Sequence, residues 1–177
     1  MEVDERELTS RARAGDDAAF DALVNKYKKE IYRLAYRFVQ NAEDAHDMAQ
    51  DTFLKAYLSL GEFRGDSSFR TWIYRIAMNL SINHIKSAAV SRRSDVPAEE
   101  LDPGKSGKIL SSIMSSEMTD RLRDAIDDLP PKQRETLLLK VYHDLKYTEI
   151  AEIMGCSVGT SKANFFHAVQ ALRGALT

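Results

Sequence analysis

All four prolines of this 177-residue chain, Pro97, Pro103, Pro130 and Pro131, lie in its second half. Proline in a helix interior removes a backbone donor and clashes with the preceding turn. A stretch of 96 residues without one therefore leaves room for long helices. Its apolar residues have the matching period. Phe20, Leu23, Val24, Tyr27, Ile31, Leu34, Ala35 and Phe38 form one stripe, which Asp16 and Asp17 can start. Asn41 is placed to cap the next helix, with Glu43 and Asp44 in its first turn, where the helix dipole favours acid. That helix carries Ala45, Met48, Ala49, Thr52, Phe53, Ala56, Tyr57 and Leu60 on one side and ends near Leu60-Gly61. After the loop 62–67, Ser67 or Ser68 can cap a third helix from Phe69 to about Lys86, with Phe69, Trp72, Ile73, Ile76 and Leu80 on a shared face.

The pattern fails between Ser87 and Ser116, a stretch rich in serine with two prolines and two glycines. It reads as a linker, with room for one short helical turn at 109–114. Periodicity resumes at Met118, Leu122, Ala125, Ile126 and Leu129, stops at Pro130-Pro131, and returns over 132–141. No strand-like alternation persists. The expected fold is all-α: two small helical domains, 1–90 and 118–177, joined by a flexible linker over 91–117.

Composition excludes several classes. A hydrophobic fraction of 44% is too high for a disordered chain. The single cysteine, Cys156, rules out an internal disulfide framework and a zinc site built on several thiolates. No apolar run approaches the roughly 20 residues that span a bilayer, and the start Met1-Glu2-Val3-Asp4-Glu5 is acidic where a signal peptide is basic. The expectation is a soluble cytoplasmic protein without membrane insertion. With 25 basic against 27 acidic residues, the net charge of −2 excludes a uniformly basic nucleic-acid binder. Local basic surfaces remain. From Ser67 to Ser94 there is no acid, but there are Arg70, Arg75, Lys86, Arg92 and Arg93. After Glu152 there is again none, while Lys162, His167 and Arg173 follow. Two acid-free helical segments in so acidic a chain suggest two faces turned to phosphate.

Residues 147–172 have the form of a helix-turn-helix, the C-terminal domain's most specific motif. Thr148 is placed to cap a short helix, Ala151 is small enough for close helix approach, and Gly155 stands where the turn favours positive φ. Ser157 is placed to cap the second helix, which sends Val158, Phe165, Ala168, Val169 and Leu172 to the core. The opposite face, with Thr160, Lys162, Asn164 and His167, is left to enter a major groove. An αα-corner with glycine at its bend gives the same local pattern without binding DNA.

The dipeptides His46-Asp47 and His143-Asp144 echo metal-dependent phosphohydrolases, but the four histidines fall in separate elements. Asp44, Asp47 and Asp51 lie along one helix face beside Leu54 and Leu58, which suits a solvated or partner-binding surface better than a metal site. Cys156 reads as a small, partly buried filler. No glycine-rich phosphate loop or nucleophile elbow is present. No cofactor, metal or catalytic residue is expected, and the chain reads as a non-enzyme.

Three segments, in order, carry a family resemblance: 41–57, from Asn41 through Asp44, Asp47, Gln50 and Asp51 to Tyr57; 63–79, from Phe63-Arg64-Gly65-Asp66-Ser67-Ser68 through Trp72 to Asn79; and Leu129-Pro130-Pro131-Lys132-Gln133-Arg134 with the helix-turn-helix after it. Together they resemble the extracytoplasmic-function (ECF) sigma factors of bacterial RNA polymerase. The resemblance implies an N-terminal domain that binds core polymerase and melts the minus-ten element, and a C-terminal domain that reads the minus-thirty-five element. The middle domain of larger sigma factors is missing, and the linker would thread into the polymerase. Asp44, Asp47, Gln50, Asp51, Leu54 and Leu58 would face core polymerase, charges steering and leucines holding. Arg64, Asp66, Ser67, Ser68, Arg75 and Asn79 would meet the melted non-template strand, Asn79 hydrogen-bonding an extruded base. For Phe69 and Trp72, core packing competes with base stacking. Thr160, Lys162, Asn164 and His167 would read duplex DNA. Stress or envelope signalling under an anti-sigma protein completes the expectation.

The recognition helix departs from the family pattern. Ser161 stands where an aliphatic residue is usual, and Asn164 and His167 where arginines are common. Asparagine favours adenine where arginine favours guanine. Two rival readings are a simple helix-turn-helix repressor and a sigma-like adaptor that binds regulators but not DNA. The first leaves the acidic helix and the 63–79 segment unexplained; the second has no use for two acid-free faces.

Overall fold

The computed structural model describes residues 4–94 and 116–176, all side-chain detail falling within 4–88 and 117–176. Two compact units divide the chain, Met1–Leu101 and Asp102–Thr177. Among the described residues the secondary structure is helical, with no strand. The expected linker over 91–117, including the turn at 109–114, lies almost wholly outside the described residues.

The N-terminal unit is built from α1 (Glu5–Arg13), α2 (Asp17–Val39), α3 (Ala42–Ser59), a single 3-10 turn (Leu60–Glu62) and α4 (Phe69–Ser94). Capping side chains begin these helices. Asp16 Oδ1 accepts from the Ala19 amide at 3.1 Å. Asn41 Oδ1 accepts from Glu43 and Asp44 at 2.8 and 3.1 Å. Ser68 Oγ accepts from Thr71 N at 3.1 Å, so Ser68 rather than Ser67 caps α4. Helix α2 is the spine, packing against α1, α3 and α4. Its stripe Leu23, Ile31, Leu34 and Ala35 is fully buried, with Ile73, Tyr74 and Ala77 of α4 and Ala45 and Ala56 of α3 equally so.

Sequence periodicity missed α1, whose only large apolar residue is Leu8. Other forces hold it: Asp4 caps it, Glu5 and Glu7 fill its first turn, Arg11 and Arg13 its last. Glu5 accepts from the Tyr27 hydroxyl and pairs with Lys26 at 3.2 Å. Helix α4 runs on to Ser94, past the expected end at Lys86. Serine and alanine ended the apolar stripe there, but neither residue stops a helix.

The C-terminal unit comprises α5 (Ser116–Asp127), α6 (Pro131–His143), α7 (Tyr147–Met154) and α8 (Val158–Leu176). Pro131 occupies the first turn of α6, where its missing N–H costs nothing. Leu129, Leu137 and Ala168 form a core flanked by Ile126, Phe165, Val169 and Leu172.

Candidate polymerase and promoter interfaces

On α3 the residues expected to face a partner share one side of the helix. Residues 44, 47, 51, 54 and 58 alternate steps of three and four, the spacing that keeps side chains on one seam facing another helix. Leu54 is 59% exposed and Leu58 75%. Asp47, Gln50 and Asp51 are exposed around them. Asp44 is partly buried, and its Oδ2 stands 3.5 Å from His84 Nε2 of α4. His46 is exposed on the same helix, and Asp144 ends α6 in the left-handed conformation at φ 47°. Among the described residues no group of three or more His, Cys, Asp or Glu side chains could hold a metal ion.

The second expected surface centres on a recess at the start of α4. Arg64, Asp66, Ser67 and Arg75 line it together with Glu62, Phe63, Gly65 and Trp72. Two of its lining residues are aromatic, Phe63 and Trp72, with ring centroids 5.0 Å apart, and Phe69 packs 5.7 Å from Trp72 outside the lining. Phe69 is buried and belongs to the core, whereas Trp72 is only partly buried and faces the recess. Gly65 takes φ 79°, a value an L side chain seldom adopts, so the loop turns there. Asn79 is exposed one turn beyond Arg75 on the same helix. Ser68 is spent on the cap, its hydroxyl also 3.0 Å from that of Thr71.

One cation of the acid-free run is engaged within the fold. Arg70 lies partly buried against Glu30 of α2, with Nη2 to Oε2 at 3.3 Å and its guanidinium 5.3 Å from the Tyr74 ring centroid. The Tyr74 hydroxyl donates to the same Glu30 oxygen at 2.7 Å. Burial, with the Glu30 carboxylate beside it, pushes that hydroxyl above the ordinary tyrosine value. Arg70, still partly exposed, ties α4 to α2. The side chains of Arg92 and Arg93 lie outside the residues described in detail.

In the helix-turn-helix, Gly155 takes φ 63°, and the Cys156 amide donates to the Ala151 carbonyl at 3.0 Å, closing α7. Cys156 is partly buried in that turn. Ser157 caps α8, its Oγ accepting from Thr160 N at 3.0 Å and lying 2.9 Å from the Thr160 hydroxyl. Thr148 does not cap α7. Lys146 holds that position, and Glu149 Oε2 reaches back to the Lys146 amide at 2.8 Å. Thr160, Lys162 and His167 are exposed and Asn164 is partly buried, at the edge of α8's packed face. Val158, expected in the core, is 37% exposed. Ser161 takes the buried place instead, at 0% exposure.

Two residues escaped the sequence reading. Tyr147 lies between Lys140 and Lys162, whose ammonium groups are 5.4 and 6.0 Å from its ring centroid. Phe166 is 59% exposed on α8. Its neighbour Phe165 carries the apolar stripe, which hid Phe166 among core residues.

Known proteins are similar to this sequence over nearly its full length. The family model of Sigma-70 region 2 matches residues 23–90, and that of Sigma-70, region 4 matches 119–172. The RNA polymerase sigma-H factor of Pseudomonas aeruginosa is 42% identical over 97% of this chain and 93% of its own length. The ECF RNA polymerase sigma-E factor of Escherichia coli K12 is 39% identical over 93% of this chain and 90% of its own. The chain belongs to the ECF sigma factors of bacterial RNA polymerase. This sigma factor also shares its fold with CnrH, solved with the cytosolic domain of CnrY, at TM-score 0.74 and 23% identity over 97% of this chain and 96% of that one. The sigma factor RpoE of Bartonella quintana, solved with the anti-sigma factor NepR, gives TM-score 0.67 at 20% identity over 89% and 96%. As a sigma factor, the chain directs transcription initiation. The α3 face and the α4 recess lie within the region 2 match, the helix-turn-helix within the region 4 match. Among the described residues no helix is long and apolar enough to cross a membrane.

Proposed function

We propose that this sigma factor docks on core polymerase through the α3 face, captures the melted non-template strand at the α4 recess and reads upstream duplex DNA with α8. The observation that carries this reading is the exposure of Leu54 and Leu58 amid Asp47, Gln50 and Asp51. A repressor needs no such surface. Two leucines set in carboxylates would cost solubility unless a partner covers them, and the carboxylates select a basic partner. In the recess, Arg64 and Arg75 supply positive charge, Asp66 and Ser67 polar edges, and Trp72 a ring face. Those are the elements that bind an unstacked base and its phosphate.

The protein acts without a catalytic group or cofactor of its own and works in the cytoplasm with polymerase. An anti-sigma protein holds it inactive; this part of the reading is supported by the likeness in fold to RpoE of Bartonella quintana, which was solved in complex with the anti-sigma factor NepR. The inducing signal belongs to stress or the cell envelope. The domains are 1–90 and 118–177, with 91–117 as the linker between them.

Replacing Leu54 and Leu58 by lysine tests the docking face directly. Both are exposed, so the fold should survive. Co-elution with core polymerase on gel filtration should be lost, while binding of α8 to duplex promoter DNA persists. Wild-type protein that fails to co-elute with core polymerase, or a double variant that co-elutes normally, refutes the proposal.

A further inference from the structure

Helix α2 buries Tyr27, Ile31, Leu34, Ala35 and Phe38, yet a second set of residues repeats the same spacing on the opposite side. Lys29, Tyr32, Arg33 and Tyr36 stand at i, i+3, i+4 and i+7, so they share one outward face. Lys29 and Arg33 are exposed, and Tyr32 and Tyr36 partly so. The two rings stack, with centroids 6.1 Å apart and planes 28° from parallel. Between Ala22 and Ala42 the only acid is Glu30, and Arg70 and Tyr74 of α4 already engage it. A merely solvated face needs charge; it does not need two stacked aromatic rings on the same side of the helix as two exposed cations.

We infer that this stripe is a second binding surface for single-stranded nucleic acid, with Lys29 and Arg33 on successive phosphates and the Tyr32–Tyr36 pair offering ring faces to bases. The inference rests on the proposed strand capture at the α4 recess and extends it. The Arg70–Glu30 bridge joins α2 to the first turn of α4, so both surfaces belong to one unit. Lys29 and Arg33 are one helical turn apart, about 6 Å along the axis, and are both free to follow a flexible strand. A duplex shows phosphates but hides its base faces, and an acidic peptide offers carboxylates without rings to stack. The combination of cations and paired aromatics selects an unstacked strand.

The test uses the full chain without polymerase and a fluorescein-labelled oligothymidylate. Lys29→Ala with Arg33→Ala should weaken binding and reduce the slope of log affinity against log salt by about 1.4, the loss of two single-strand phosphate contacts. Tyr36→Ser should weaken binding about 5- to 10-fold, and Tyr36→Phe should restore it, since stacking needs the ring and not the hydroxyl. Two variants equal to wild type in affinity and salt slope would overturn the inference. So would loss of core polymerase co-elution in the Lys29/Arg33 double variant with oligothymidylate binding intact, which would assign the stripe to an acidic protein surface. Failure of strand capture at the recess appears separately, as an Arg64→Ala variant that binds the oligonucleotide as wild type does while the stripe variants lose affinity.

Discussion

Ser161 shows where reading by residue type stops. In the sequence it was visible as a serine in an aliphatic position of the recognition helix. What the sequence did not reveal is that it remains in the core, fully buried, with no hydrogen-bond partner for its Oγ. Val158, apolar and nearby, was instead placed there by the 3.6-residue pattern and lies outside. Near a helix start the cap geometry of Ser157 sets the angle at which the first turn meets the core, and periodicity does not encode that angle. A buried hydroxyl without a partner costs about 1–3 kcal/mol of desolvation. Ser161→Ala removes the hydroxyl and leaves only a small void, so the C-terminal unit should gain on the order of 1 kcal/mol. A thermal melt of that unit should move upward by a few degrees; a downward shift would show that the hydroxyl has a partner after all.

At the scale of elements, helix α4 illustrates how much an interhelical contact changes a sequence reading. Its acid-free run suggested a phosphate-facing surface; in the fold Arg75 lines the recess and Asn79 is exposed. Arg70 of the same run pairs with Glu30, which is 40 residues away, so no local pattern announces the pair. Helix α1 escaped for a related reason: its hold on α2 passes through Glu5, Tyr27 and Lys26, not through an apolar stripe. Caps were more legible, because Asn41 and Ser157 act within three residues, although Lys146 shows that a backbone amide and Glu149 can replace a capping side chain. The Glu30 cluster also gives the N-terminal unit an alkaline limit. Burial and Glu30 raise the Tyr74 hydroxyl above its ordinary value of 10.0, and burial and Glu5 do the same for Tyr27. A raised pKa means that the folded state holds the proton more tightly than the unfolded state. The resulting stability is fully present below about pH 10 and falls as pH rises beyond it. Denaturant midpoints should be flat from neutrality to that point and then decline. Tyr74→Phe should lower the neutral-pH stability by about 1–2 kcal/mol, through the lost hydrogen bond to a charged group, and make the alkaline decline shallower. An unchanged decline in Tyr74→Phe would place its origin elsewhere.

At the scale of the whole molecule, the division into two units was legible because the apolar period stops and restarts across a serine-rich stretch. Each unit has its own buried core, and the two surfaces proposed to meet DNA fall in different units. That separation makes their contributions to promoter opening distinguishable. Asn79 is exposed on α4, one turn from the recess lined by Trp72, and on the proposed reading its side-chain amide meets a base only after the base has left the stack. Asn164 is partly buried at the edge of α8, where an amide can pair with adenine in intact duplex. Asn79→Ala should leave initial promoter binding unchanged and cost the open complex on the order of 1–3 kcal/mol. Asn164→Ala should weaken initial binding by a similar ~1–3 kcal/mol and relax preference at one upstream base pair. Holoenzyme binding to a closed promoter, scored apart from permanganate-detected strand opening, separates the two effects. If Asn79→Ala reduced closed-complex binding as much as opening, the α4 surface would be touching duplex and not a melted strand. If Asn164→Ala impaired opening alone, α8 would be acting after recognition and not in it. Either result would remove the assignment of melting to one unit and duplex reading to the other, because each asparagine would then act on the wrong form of the DNA.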